Sequence, residues 1–182
     1  MKEKKLSVAV LAGGCFWCTE AVFKKLRGVK EVIPGYTGGT IKNPAYREIC
    51  TGRTGHAEAI RVEYDEAEIS FGELLDVFFA THDPTTLNRQ GNDVGTQYRS
   101  AVFYTTDRQR ETAREYITLL EREGVFNRPV VTEITEAGAF YPAETEHKDY
   151  YDLHPEQPYC QVVIRPKLKK LDTLFRKKLR EV

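Results

Sequence analysis

The sequence predicts an α+β fold: a two-layer, ferredoxin-like βαββαβ core with a long, partly irregular C-terminal segment. Three observations predict it. Hydrophobic periodicities run strand, helix, strand, strand, helix, strand between Leu6 and Tyr104, the order of that core, which places the helices on one face of a mostly antiparallel sheet. The length of 182 residues suits one domain, and no repeat, low-complexity tract or linker divides it. From Glu136 onward the chain turns rich in Tyr, Pro and His, so residues 137–182 are expected to wrap the core as a tail.

The elements follow in order. Leu6 to Leu11 is a short apolar run, a central strand. Cys15 to Leu26 carries Val22, Phe23 and Leu26 at helical spacing, with Gly28 as a stop. Val29 to Tyr36 reads as a strand made irregular by Pro34. Thr37 to Gly55, rich in Gly, Thr, Pro and Asn, reads as a loop. Ala57 to Tyr64 alternates as a strand. Ser70-Phe71-Gly72-Glu73 is a capping box, and the helix it opens shows an apolar stripe of Phe71, Leu74, Leu75, Phe78 and Phe79. A polar loop from His82 to Arg99 leads to a strand at Ala101 to Tyr104. Asp107 to Glu123 is a helix with Ala113, Tyr116, Ile117 and Leu120 on one face and Gly124 beyond its end. Val130 to Thr135 is a further strand. The chain closes in a basic amphipathic helix whose Leu168, Leu171, Phe175 and Leu179 dock on the core.

Charge excludes several function classes. Lys and Arg number 27, as do Asp and Glu, so there is no electrostatic footprint for nucleic acid or an anionic membrane. No apolar run is long enough to span a bilayer. Lys2, Lys4 and Lys5 ahead of Leu6 to Ala12 imitate a secretion signal ending at Cys15, but the stretch is at the short limit and reads well as a buried strand. A cytoplasmic location follows, where thiols stay reduced. Of the four cysteines, Cys50 reads as a buried small hydrophobe, whereas Cys15 and Cys18 form a C-x-x-C pair that argues for redox or metal chemistry.

Cys15 follows a strand and the pair Gly13-Gly14 and opens a helix, where the macrodipole and free N–H groups favour the reactive thiolate. A thiol of pKa about 8.5 is only a few per cent ionised at neutral pH, and a drop of about one and a half units makes that about half. Phe16 and Trp17, the only Trp, flank it. Core packing is the usual use of such aromatics, but beside a surface turn a shallow apolar wall for a methyl or thioether group fits better. In the strand starting at Ala57, Glu58 shares a face with Ile60, Val62 and Tyr64, while Arg61 and Glu63 take the other. A carboxyl on an apolar face has a raised pKa and suits general acid work. Tyr46, Asp93 and Tyr98 lie in loops, where the residues themselves assign no chemistry.

The runs Gly14-Cys15-Phe16-Trp17, Gly35-Tyr36-Thr37-Gly38-Gly39, Asn43-Pro44-Ala45-Tyr46, Gly55-His56-Ala57-Glu58, His82-Asp83-Pro84 and Gln90 to Ser100 together resemble the successive signatures of the A-class peptide methionine sulfoxide reductases. Phe140-Tyr141-Pro142-Ala143-Glu144 and His147 fit more loosely. The resemblance implies reduction of the S-epimer of methionine sulfoxide, free or in proteins. It implies Cys15 as nucleophile, Phe16 and Trp17 around the substrate methyl, and Glu58 as proton donor to the sulfoxide oxygen. Tyr46 and Tyr98 would hydrogen-bond that oxygen, and Asp93 would orient the site. It also implies a sulfenic acid at Cys15, closed to a disulfide by a second thiol and reduced by thioredoxin or a similar dithiol, with no metal or organic cofactor.

Two thiols compete as the resolving group. Cys18 is near in sequence. Cys160 lies after Pro155 and Pro158 in a segment that resembles the family's C-terminal source of this thiol, although Val162-Val163-Ile164 could hold it as a strand. The balance tips slightly to Cys160, with a relay through both left open. Two other readings use the same cysteines: a thioredoxin-like oxidoreductase, and a structural zinc site, for which a second C-x-x-C pair is missing.

Overall fold

The computed structural model describes residues 6–180. Lys2, Lys4 and Lys5, invoked above as an imitation of a secretion signal, lie outside the described residues; the apolar stretch after them forms β1 (Ser7–Gly13). There follow α1 (Phe16–Phe23), β2 (Val29–Thr37), α2 (Tyr46–Ile49), β3 (Ala57–Tyr64) and α3 (Phe71–Thr81). Next come the short pair β4 (Arg89–Gln90) and β5 (Asp93–Val94), then β6 (Ser100–Tyr104), α4 (Asp107–Arg122), β7 (Glu133–Glu136) and β8 (Phe140–Pro142). The chain ends with α5 (Tyr150–Leu153) and α6 (Arg165–Phe175). The fold is α+β, built on a mixed six-stranded sheet of order β7-β6-β1-β3-β2-β8. All its pairings are antiparallel except the one joining β6 to β7.

Alternation assigns the two faces. Ala9 and Leu11 of β1 and Ile60, Val62 and Tyr64 of β3 enter the main core with Phe23 of α1 and the α3 stripe. The opposite face is lined by small residues, Ala12, Ala57, Ala59 and Ala101, with Val10 and Phe103, and Phe140 packs against it. The α3 capping box forms as expected: Glu73 N–H donates to Ser70 Oγ at 3.1 Å. Its Leu74 is fully buried, so truncation to Ala costs about 2–5 kcal/mol.

Several expectations are corrected. The irregularity in β2 falls between Val29 and Glu31, not at Pro34, which stays in register opposite Ile60. Pairing with β8 starts only at Gly35, and Pro34 contributes just its carbonyl, which accepts Ala143 N–H at 2.8 Å. The stretch Thr37 to Gly55 contains the one-turn helix α2. His56 organises it: Gly39 N–H donates to Nδ1 at 3.0 Å, so the proton is on Nε2 and is given to the Ile41 carbonyl at 2.6 Å. The strand expected at Val130 to Thr135 forms later, at Glu133–Glu136. Cys160–Ile164 is neither a strand nor a free segment but a π-helical turn running into α6. Pro166 has no N–H to give the Val162 carbonyl, which removes the ordinary i to i−4 bond where the turn widens.

The C-terminal segment is tied to this core. β8 extends the sheet, Leu171 of α6 is buried in the main core, and Leu179 bridges to Leu26. Glu20 of α1 accepts Asp149 N–H at 2.9 Å, and Lys24 forms ion pairs with Asp149 and Asp152.

Candidate active site

Gly14 makes the turn from β1 into α1 with φ of 93°, and a Cβ there would stand 2.6 Å from Gln90 Cγ. Both facts require glycine. Cys15 occupies the N-cap position of α1, and its carbonyl accepts Cys18 N–H at 3.0 Å. The next N–H, of Phe16, donates to Glu58 Oε1 at 3.2 Å. Glu58 thus reaches the helix start from the second residue of β3, opposite Tyr36 in the ladder. It is 1 % exposed, and its other oxygen, Oε2, is buried without a hydrogen-bond partner. Burial pushes its pKa up to about 8; the Phe16 N–H pulls it down, and the negative charges of Asp93 and Cys18 add to the rise. The direction is the one that strand alternation indicated.

The thiolate expectation at Cys15 is reversed. Burial raises its pKa well above the ordinary value, helped by the hydrogen bond with Cys18 and by the charge on Glu58. The Trp17 backbone N–H acts in the expected direction but is outweighed. In the shared hydrogen bond the easier proton to lose belongs to Cys18, lowered to about 7 chiefly by Cys15, with Lys167 and Tyr159 assisting against its burial. Cys160 is fully buried in the same cluster, and burial and the Cys18 charge raise its pKa.

Tyr46 opens α2, and Tyr98 ends a 3-10 turn at Thr96–Tyr98. Burial, and next the Glu58 charge, raise both phenols far above the usual tyrosine value, so they stay proton donors. Asp93 accepts a hydrogen bond from Tyr159 O–H at 2.7 Å, and that oxygen lies 3.6 Å from Cys18 Sγ. The structure therefore gathers all the residues named from sequence: Cys15, Phe16, Trp17, Cys18, Tyr46, Glu58, Asp93, Tyr98 and Cys160.

Two of them sit differently from expectation. Phe16 is not at a surface turn. It is fully buried in the main core, its ring 5.5 Å from Tyr36 and 5.4 Å from His147. Trp17 is half-buried and stacks on Tyr150 with centroids 3.8 Å apart and planes 7° from parallel. Tyr98, Tyr150, Tyr159 and Leu168 close over the cysteine cluster, leaving Cys15 only 9 % exposed. Cys50, expected buried, is exposed, because it caps the one-turn α2 at the surface.

Sequence reasoning missed the contribution of Tyr36, Glu144, His147 and Tyr150. Trp17 Nε1–H donates to His147 Nδ1 at 3.2 Å, and His147 Nε2 lies 3.2 Å from Glu144 Oε2. Glu144 also accepts Tyr36 O–H at 3.2 Å and Tyr46 N–H at 3.1 Å. Among the described residues, Glu144, Glu146 and His147 bring ligand-type atoms within 4.8 Å of one another. His147 Nδ1 is taken by the Trp17 donor, whereas Nε2 stands 3.2 Å from Glu144 Oε2 and is buried without a hydrogen-bond partner.

A thiol shielded from water beside a raised carboxyl and two phenols suits delivery of a proton to an oxygen attached to the atom the sulfur attacks. Comparison with known proteins agrees. The peptide methionine sulfoxide reductase family model matches residues 7–179. The peptide methionine sulfoxide reductase MsrA of Deinococcus radiodurans is 59 % identical over 172 residues, which is 94 % of this chain and 84 % of that protein. The crystal structure of reduced Mxr1 from Saccharomyces cerevisiae superposes with a TM-score of 0.77 at 33 % identity, covering 87 % of this chain and 91 % of that one. Mxr1 in complex with Trx2 superposes with a TM-score of 0.54 at 25 % identity, covering 82 % and 87 %. With the family model matched from β1 to Leu179 in the tail, this chain belongs to the peptide methionine sulfoxide reductases.

Proposed function

We propose that the chain reduces the S-epimer of methionine sulfoxide, free or in proteins, with Cys15 as nucleophile and Glu58 as proton donor. The observation that carries this reading is Glu58: buried and protonated near neutral pH, it holds Oε2 unpartnered beside the Cys15 helix start. A proton on Glu58 also removes the negative charge that opposes the Cys15 thiolate, so one protonation state prepares both groups. The thiolate attacks the sulfoxide sulfur while Glu58 protonates its oxygen. Tyr46 and Tyr98 donate to that oxygen, Phe16 and Trp17 hold the methyl, and Asp93 orients the site through Tyr159. In net terms the Cys15 thiol takes the oxygen to become sulfenic acid, and methionine leaves.

Recycling is read as a relay. Cys18, hydrogen-bonded to Cys15, attacks the sulfenic sulfur, expels water and forms the first disulfide. Cys160 then attacks Cys18 and frees Cys15 as thiol, and a thioredoxin-like dithiol reduces the Cys18–Cys160 bond. This order gives the first step to Cys18, where the sequence favoured Cys160, because Cys18 is the thiol in contact with Cys15. The yeast relative solved with Trx2 supports the choice of reductant.

The whole chain is read as one catalytic domain with residues 137–182 as its wrapping tail. The strands β6-β1-β3-β2 with α1 and α3 support a ferredoxin-like βαββαβ unit. No described helix is long and apolar enough to cross a membrane, and four free cysteines suit the reducing cytoplasm. The test is turnover with separated epimers and a thioredoxin system. Reduction of the S-epimer with the R-epimer untouched is expected; turnover of the R-epimer alone would overturn the reading.

A further inference from the structure

We infer that Glu144 is a positioning residue that sets both walls of the site at once, acting through His147 on Trp17 and directly on Tyr46. The inference rests on the reading above, since it concerns the same site.

An indole nitrogen only donates, so His147 Nδ1 must present a lone pair to Trp17 Nε1 at 3.2 Å. A neutral imidazole with a lone pair on Nδ1 carries its proton on Nε2. That nitrogen faces Glu144 Oε2 at 3.2 Å, a contact of charge on dipole. A carboxylate opposite Nε2 favours the tautomer that Trp17 needs. The other carboxylate oxygen accepts the backbone N–H of Tyr46, the first residue of α2, and Oε2 also accepts Tyr36 O–H. The imidazole meanwhile touches three aromatic rings of the site: Tyr46 at 4.5 Å, Phe16 at 5.4 Å and Trp17 at 5.8 Å between centroids. Glu144 therefore couples the methyl-binding indole to the element that carries an oxygen-binding phenol. It does so from the stretch after β8, about a hundred residues away in sequence from Tyr46.

The carboxylate is needed here, not just a polar group of its shape. Oε1 accepts Tyr46 N–H and Oε2 accepts Tyr36 O–H, and Oε2 also stands 3.2 Å from His147 Nε2, which has no hydrogen-bond partner and feels the carboxylate as a nearby charge. An amide has only one accepting end. With the amide nitrogen toward His147, the imidazole proton is pushed to Nδ1, where it collides with the Trp17 donor. With the amide reversed, two donors meet at Tyr46 N. Glu144→Gln therefore keeps size and burial but must break one wall.

The experiment uses the full chain and two readouts. Trp17 is the only Trp, so intrinsic fluorescence reports on its partner without requiring activity. In Glu144→Gln the emission maximum or yield should change in the resting enzyme. Its kcat/KM for methionine sulfoxide should fall about tenfold to a hundredfold, the scale of a small misplacement of reacting groups. The melting temperature shows whether the variant stays folded. The second variant is Trp17→Phe, which keeps an aromatic ring but has no N–H. In that background Glu144→Gln should cost clearly less than in the wild type, because the part of its effect carried by His147 is already gone. Unchanged Trp17 emission with kcat/KM within twofold of wild type would overturn the inference. So would losses that add in full across the two substitutions, since a merely structural tether predicts additivity. Failure of the wild type to reduce sulfoxide would count against the proposed function instead, and would leave the fluorescence arm intact.

Discussion

The chain up to Tyr104 and the tail after Glu136 build one site by different means. The first places its chemistry on regular elements: Cys15 at a helix start, Glu58 in a strand register, Tyr46 at a helical turn. The tail places Glu144, His147, Tyr150, Tyr159 and Cys160 on short turns and a π-helical turn, and packs them over that chemistry. Groups that must hold a reacting geometry sit on the sheet and the helix starts. Groups that cover and adjust the site sit on short turns, and of the two recycling thiols Cys18 stands on α1 and Cys160 on the π-helical turn. Substitutions in the two regions should therefore fail in different ways.

The largest effect is expected at the nucleophile. Cys15→Ser should abolish sulfoxide reduction, including the first turnover, because an alcohol is a far weaker nucleophile and forms no sulfenic acid. Methionine release by this variant in a single-turnover assay would move the chemistry away from α1.

Glu58 comes next and carries a pH signature. Glu58→Gln should cost about a hundredfold or more in rate. In the wild type the acid form persists up to about pH 8, so activity should decline as pH rises through that value. Stability has the same sign. The folded pKa lies above the unfolded one, so the favourable contribution is complete below about 4.5 and is lost as pH rises toward 8. Glu58→Gln should then melt higher than wild type at pH 9, with the gap closing by pH 5. A wild-type rate that is flat across pH 7 to 9, with a melting gap that does not change between pH 9 and pH 5, would demote Glu58 to a structural anchor for Phe16 N–H.

What was legible in the sequence divides along the same line. Glu58 was readable because strand period alone puts it on the face of Ile60, Val62 and Tyr64. The capping box of α3 and the glycine turn before Cys15 were readable for the same local reason. The Cys15 ionisation was not. The helix start acts in the expected sense, but burial under Tyr150, Tyr159 and Leu168 outweighs it, and burial is a tertiary fact. Phe16 was misplaced because α1 looked exposed at its start, whereas the tail covers it. Glu144 and His147 were legible only through resemblance, since their contacts span about a hundred or more residues and follow no period.

The relay tests the tail at intermediate size. With thioredoxin recycling, Cys18→Ser and Cys160→Ser should each be slowed about tenfold or more, while each still releases about one methionine per enzyme in a single turnover. Peptide mapping after one oxidation should find Cys15–Cys18 accumulating in Cys160→Ser and Cys18–Cys160 in the wild type. A Cys15–Cys160 bond formed equally well with or without Cys18 would return the first step to Cys160.

The smallest effect concerns the cover itself. Trp17 and Tyr150 stack nearly parallel at 3.8 Å, and on the proposed reading Trp17 is part of the wall for the substrate methyl. On that reading the tail yields there before substrate binds. Yielding also lets water reach Cys15, which removes the burial that keeps it a thiol. An aromatic pair of this kind is worth about 0.5–1.5 kcal/mol beyond its buried area. Removing it should therefore raise the open population about two- to tenfold. Tyr150→Ala should make Cys15 react faster with iodoacetamide by that factor, followed by mass spectrometry of the α1 peptide. Lys24 and Glu20 still tether Asp149 beside it, so the cover loosens without detaching and the melting temperature should move little. Unchanged alkylation in a variant whose Trp17 emission has shifted would mean that the stack breaks without uncovering the thiol, and Tyr159 over Cys18 would then be the closure that governs access.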